Sequence, residues 1–345
     1  MNDVSNTEIA VLEAAEAGEG KLMQIFEAIE AGVTGLPEPV RKNFLKVAAQ
    51  LCTAAIDIPV AMLEGKAAEI RAESRGRVKL IGTSSHQLAD QMKVDPEYVK
   101  AAAHKFTQKV VREQINLDKT TAAAYEELER GPTSATPVAD ISEDFLNAFE
   151  REASQMSSEH MQRLFGKILA GEVKNPSAFS IKTVKQVAQL DNRAATSFRL
   201  LCSLVCSLRS GNHIWDARVV SFGTNAGSNS LQQYGLSFDQ LNVLQEYGLI
   251  ISDYSSYVDL GCAILKNNSL AIPLTYQKQQ YGLVPKVPTN EAVKFHVHGV
   301  GLSRTGKELL DVMDIEPNEA YTAALVTFFD SQGYEFKLIN FSPAP

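Results

Sequence analysis

The chain has 345 residues, of which 45% are hydrophobic and 21% charged, and its formal net charge is −8. That length supports two or three domains with cores of their own. The acidic balance excludes a protein that coats nucleic acid through overall charge, leaving only local basic patches, and the four cysteines, Cys52, Cys202, Cys206 and Cys262, are too scattered for a disulfide scaffold.

The opening Met1-Asn-Asp-Val-Ser-Asn-Thr-Glu has neither the basic stretch nor the apolar run of a secretory signal, so a cytoplasmic location is expected. Residues 1–20 are acidic and rich in alanine and glycine, with a short helix expected near Ile9 to Ala15. Leu22, Ile25, Phe26 and Ile29 mark a second short amphipathic helix, stopped by Gly32 and Gly35. Pro37 and Pro39 form a joint. From Val40 a longer helical run is expected through about Arg75, kinked at Pro59. Within it, residues 44–63, from Phe44 to Leu63, are long enough to span a bilayer. Lys46, Gln50 and Asp57 interrupt them, and a charge near the bilayer centre costs roughly 2.5–3.5 kcal/mol. A buried or partner-facing helix is therefore expected there, and not membrane association.

Between Gly65 and Arg77 charge surrounds the expected helix. Arg71, Arg75, Arg77 and Lys79 are the cationic cluster at which nucleic acid could bind, diluted by Glu69 and Glu73. Asp95-Pro96 begins another long helix, roughly 96–130, with Tyr98, Val99, Ala102, Phe106, Val110, Ile115 and Leu117 as its apolar positions. Alanine at 101–103 and 122–124 permits close helix approach, although the heptad fit is too imperfect for a coiled coil. Gly131-Pro-Thr-Ser-Ala-Thr-Pro137 is the clearest linker in the chain. An N-terminal helical region, 1–130, thus precedes a linker at 131–139.

Asp140 and Glu143 have capping-box spacing ahead of a helix at about 142–155, with Phe145, Phe149 and Ala153 on its apolar side. Met161, Leu164, Phe165, Ile168 and Leu169 follow at amphipathic-helix offsets, with Ser157 or Ser158 as cap. Gly171, Asn175 and Pro176 end that helix, and Ser180 opens the next, so two helices meet at a short Pro-containing corner. A helix over 192–208, carrying Phe198, Leu201, Cys202, Leu204, Val205 and Leu208, completes a central helical domain at 140–210. Cys202 and Cys206, four apart on it, read as buried small hydrophobes in preference to metal ligands.

After Gly211 the pattern changes. Trp215, Val219, Val220 and Phe222 suggest a strand, and Ser237 with Gln240 makes a capping box before a helix that ends at Gly248-Leu-Ile. A strand at 293–299, the helix Leu302-Ser-Arg-Thr-Gly-Lys-Glu-Leu-Leu310, a last helix at 317–331 and a terminal strand at 334–341 follow. The expected fold is mostly α: long N-terminal helices, a central helical domain, and a C-terminal α+β winged-helix-like domain over 211–345. Its presumed recognition helix, 238–247, carries Asp239 and Glu246 and no lysine or arginine, so it would read a DNA groove poorly and suits protein contact better. His296 and His298 share one face of a strand and could ligate zinc with a third ligand, although a hydrogen-bonding pair is the simpler reading. Phosphate-binding loops, nucleophile elbows and zinc-protease motifs are missing from the sequence, and no cofactor is implied.

The run Met161-Gln-Arg-Leu-Phe-Gly-Lys-Ile-Leu-Ala-Gly-Glu-Val-Lys-Asn-Pro-Ser-Ala-Phe-Ser180 resembles the signature of a bacterial family known as domain of unknown function 2806. Phe165 stands where that family usually has tryptophan, and Ser177 where it usually has glycine. The matching positions are Met161, Leu164, Phe165, Gly171, Pro176 and Phe179, and the match is strong over about 140–210; Val78-Lys-Leu-Ile-Gly82 resembles the family weakly. The central block is also similar, more distantly, to a helical domain of bacterial abortive-infection proteins, which implies a role in defence against phage. The expectation is a non-enzymatic interaction or assembly protein, paired with a protein partner or with itself, that senses or relays a phage signal. A nucleic-acid-binding regulator and a metal-dependent enzyme acting through His296 and His298 are the alternatives.

Overall fold

The computed structural model describes residues 36–52, 95–130, 139–222, 229–251, 253, 256–266, 269–287 and 293–339. The helices expected before residue 36, the cluster Arg71, Arg75, Arg77 and Lys79, the weak match at 78–82 and the linker at 131–138 lie outside the described residues. The chain divides after Ala188 into two compact units.

The first unit is helical. In α1 (Glu38–Leu51), Val40, Phe44, Val47, Ala48 and Leu51 recur at helical spacing and all are buried. The helix stops at Leu51, since Cys52 is already extended at φ −102°, ψ 139°. The run expected through Arg75 is therefore broken well ahead of Pro59. Helix α2 (Pro96–Arg130) spans 35 residues, with proline at its first position where the missing N–H costs nothing. Phe44 meets Tyr125 at 5.8 Å between ring centroids, while Gln114 Nε2 donates to the Leu51 carbonyl at 2.8 Å, so α1 runs antiparallel to α2.

Helices α3 (Glu143–Ala153), α4 (Glu159–Lys174) and α5 (Ile181–Ala188) complete this unit. At the crossing of α2 and α4, a Cβ placed on Gly166 would lie 2.7 Å from Ala123 Cβ and 3.0 Å from two backbone atoms. The small residues at 122–124 let the two helices approach there. Phe149 sits between Phe145 and Phe165, at 6.0 and 5.5 Å, and burying each such ring contributes roughly 1.5–3 kcal/mol. The buried amide of Gln162 donates to Asn116 Oδ1 at 3.2 Å and to the Met156 carbonyl at 2.9 Å, tying α4 to α2 and to the turn after α3. The expected cap at Asp140 is not made: Asp140 accepts from Lys42 Nζ at 2.9 Å, and Ser142 begins α3 without a side-chain bond.

In the second unit Asp191 caps α6 (Asn192–Leu204) by accepting from the Ala194 N–H at 2.7 Å. The helix expected through Leu208 ends at Leu204, and Val205–Ser210 is strand β1. With β2 (His213–Val220), β3 (Tyr257–Asp259), β4 (Leu274–Tyr276), β5 (Gln279–Pro285), β6 (His296–Gly301) and β7 (Tyr334–Leu338) it forms an antiparallel sheet in the order β3-β6-β2-β1-β4-β5-β7. This overturns the mostly-α, winged-helix-like expectation: the described part of the C-terminal region is built on a seven-stranded antiparallel sheet that curls into a half-barrel. The local signals were real. Ser237 and Gln240 form their capping box at the start of α7 (Phe238–Glu246), and Ser303 caps α8 (Arg304–Leu310). What a winged helix lacks is the long-range pairing, such as Tyr281 with Leu338. Helix α9 (Glu319–Ser331) lies against the sheet through buried Tyr321, whose hydroxyl donates to the Val220 carbonyl at 3.1 Å, and through Phe329, whose ring meets Phe336 at 5.2 Å. Among the described residues no helix is long and apolar enough to cross a membrane, α1 included.

Candidate functional site

The signature run builds a corner in the helical unit. Ser158 Oγ accepts the Met161 N–H at 3.3 Å at the start of α4; Leu164 and Phe165 are buried, and Met161 is half-buried. At the far end the Phe179 ring lies on Gly171, where a Cβ would come within 2.7 Å of it. The turn itself is held by Glu172, only 1% exposed, whose carboxylate accepts the N–H groups of Ser177 at 2.6 Å and Phe179 at 3.0 Å. Pro176 is half-buried in this turn, and Ser177 adopts φ +72°. A side chain is strained in that left-handed region, which explains glycine as the residue usual there in the resembled family. Ser177→Gly is expected to stabilise the helical unit by about 1 kcal/mol, read as a higher urea midpoint with an unchanged slope. The matching positions are therefore scaffold residues, and Glu172, which ties them together, was not singled out from sequence because its role depends on the turn folding back over it.

That corner backs α4 against the second half of α2, where Asn116, Leu117, Thr120, Thr121, Ala124, Tyr125 and Leu128 are buried. The first half of α2 is different. Tyr98 is 69% exposed, Phe106 and Val111 are each 49% exposed, and Val110 and Ile115 are exposed as well. Phe106, Val110 and Leu117 fall at i, i+4 and i+11, so the buried face of the helix continues into solvent. Exposed Lys109 borders this stripe, with exposed Lys105 and Arg112 further round the same side of the helix, and between Tyr98 and Ile115 the one acid is Glu113, 3.6 Å from Lys109. A helix with an apolar face gains most of its stability by covering that face.

The predicted metal pair is placed as its alternation implies. His296 and His298 are exposed on one face of β6, with Tyr257 of β3 stacked on His296 at 4.3 Å and edge-on to His298 at 5.8 Å. Asp259, opposite His296 in the ladder, already accepts from the N–H groups of Phe295 and Gly261, both at 2.9 Å. Those bonds hold its carboxyl below the usual carboxylate range. Among the described residues no group of three or more histidine, cysteine, aspartate or glutamate side chains could hold a metal ion.

Cys202 lies on α6 and Cys206 on β1, so the shared helical face expected for them does not form. Burial pushes both thiols up, which keeps them protonated and poor nucleophiles. In α7, Asp239 is engaged by Arg193 of α6.

A family model described as a protein of unknown function (DUF2806) matches residues 100–326. No curated protein and no solved structure matches the chain.

Proposed function

We propose, starting from the fact that the chain belongs to the DUF2806 family of proteins of unknown function, that it is a non-enzymatic interaction protein whose docking surface is the first half of α2. The observation that carries this reading is the apolar stripe through Phe106 and Val110, an exposed continuation of the face that α2 buries in its second half. Its flanks select the occupant. Lys105, Lys109 and Arg112 would repel one another across a pair of identical helices, whereas an acidic amphipathic helix of a partner protein would satisfy both the stripe and the flanking cations. Covering each half-exposed phenylalanine or valine would supply about 1 kcal/mol.

The defining test uses the full chain and a synthetic amphipathic helix with leucine on one face and glutamate on its flanks. Fluorescence anisotropy should show binding that weakens with salt, and Phe106→Glu with Val110→Glu should reduce it at least tenfold. Failure of the wild-type chain to bind, or equal binding by the double variant, would remove the surface from the function. A stable dimer in light scattering that dissociates on Phe106→Glu would instead make a second copy the occupant.

We further propose an anti-phage setting, which rests on the resemblance read in the sequence of the central helical block to abortive-infection proteins and would make this surface part of a defence relay. Cells expressing the wild-type chain should then lower phage plating efficiency, and cells expressing the double variant should not.

A further inference from the structure

We propose that the sheet of the second unit carries a binding site for a small polar metabolite with an oxyanion group, a phosphate monoester or a carboxylate. The site is a cavity of about 320 Å³ on one face of β1, β4 and β5, closed by the end of α8 and the segment after it. That volume lies at the small end of ligand pockets and suits a compact metabolite. Its floor follows from register. Ser207 pairs with Thr275 and Thr275 pairs with Gln280, so two hydroxyls and an amide stand in one row across three neighbouring strands. Arg209, two residues beyond Ser207, presents its guanidinium from the same face of β1.

Two atoms of this lining lack a partner although they are buried: Arg209 Nε and Thr275 Oγ1. Arg209 is diagonal to Thr275 across the β1–β4 ladder. A buried guanidinium N–H beside a buried hydroxyl, both unsatisfied, is a donor set waiting for an acceptor with more than one oxygen. Arg209 Nη2 meanwhile donates to Asp311 Oδ1 at 2.7 Å, while the Nε–H on the same edge of the guanidinium has no acceptor. Lys278 stands at the rim in the β4–β5 hairpin turn, where Gln277 and Lys278 adopt φ of +47° and +62°. Neither is glycine, so the turn holds strained backbone at the edge of the cavity, the kind of place where strain accompanies binding. Arg209 and Lys278 together oppose the one carboxylate of Asp311, so the lining carries a net positive charge. Val205, Leu310 and Ile315 supply the apolar wall against which the carbon body of the metabolite would rest.

The ligand oxyanion accepts from Arg209 Nε and the Thr275 hydroxyl, with Lys278 at the mouth, and it competes with Asp311 for the guanidinium. The test is titration calorimetry on the full-length protein with glycerol 3-phosphate, L-malate and glycerol, each at constant ionic strength. The phosphate ester, the dicarboxylate or both should bind saturably, glycerol should not, and the two arms identify which oxyanion the site takes. Arg209→Gln should weaken binding at least tenfold, Thr275→Val and Lys278→Gln by a few-fold each, and Asp311→Asn should tighten it because the internal competitor is gone. Circular dichroism of each variant separates lost binding from lost fold, and the exposed Lys278 gives a variant that leaves the sheet intact. Absence of saturable binding by both anions, or binding unchanged in folded Arg209→Gln and Thr275→Val, would overturn the proposal. This outcome is independent of the α2 surface.

Discussion

Glu172→Ala is expected to cost the helical unit about 3 kcal/mol, a large share of the stability of an ordinary domain. The carboxylate is buried and bridges two backbone N–H groups five and seven residues further along the chain, Ser177 at 2.6 Å and Phe179 at 3.0 Å. A hydrogen bond to a charged group is worth about 1.5–3 kcal/mol, and a buried donor left without an acceptor bears its full desolvation cost. The two bonds do not count equally. Ser177 is exposed, so water replaces its acceptor when the carboxylate is removed, whereas Phe179 is buried and its N–H would be orphaned. Glu172→Gln keeps one acceptor oxygen but turns an NH2 group toward a donor, so it should lose somewhat more than half as much. Urea unfolding of the full chain gives the free energies, and hydrogen exchange at the Phe179 amide locates the loss. If Glu172→Ala stayed within about 0.5 kcal/mol of wild type, the range of ordinary surface substitutions, the carboxylate would not be what holds the corner.

Gly166 is the second position where a single atom decides. Alanine is favoured over glycine in a helix interior by about 1 kcal/mol, so propensity alone makes Gly166→Ala stabilising. The α2–α4 crossing reverses that sign. A Cβ at residue 166 would lie 2.7 Å from Ala123 Cβ and 3.0 Å from the Ala123 carbonyl carbon and the Ala124 nitrogen. Backbone atoms cannot rotate away, so the helices must separate, and such overpacking costs about 1–3 kcal/mol. We expect Gly166→Ala to be destabilising by about 1 kcal/mol net and Gly166→Val, bulkier and β-branched, by about 3 kcal/mol. Ala123→Gly should relieve the first of these in part, and a double-mutant cycle over Gly166 and Ala123 measures the coupling directly. A cycle with no coupling would show that the crossing relaxes elsewhere.

The corner and its helices were legible in the sequence. The Ser158 cap, the apolar spacing from Leu164 to Leu169, and the small-residue run at 122–124 each express themselves within one or two helical turns, and all appear in the structure as read. The sheet was not legible. The first four residues of strand β1, Val205-Cys-Ser-Leu208, are all buried and carry on the apolar positions of the preceding helix, and so short a run cannot be told from a buried helical segment by periodicity. It was accordingly assigned to the helix that precedes it. The cavity was hidden for the same reason. Ser207, Thr275 and Gln280 have no common motif, and only pairing between strands almost seventy residues apart in sequence sets them side by side.

The Ser158 and Ser237 caps and the Pro-containing corner are properties of the sequence itself, since the hydrogen bonds of a helix close within four residues and these signals are local, whereas the ends of α1 and α6 were not. Only the tertiary structure decided that the C-terminal unit is a curled antiparallel sheet, that Glu172 caps a buried turn, and that one face of α2 is covered in its second half and open in its first. Each of these depends on which distant backbone or side chain arrives to satisfy a polar group or cover an apolar one, and that choice is made between segments rather than within them.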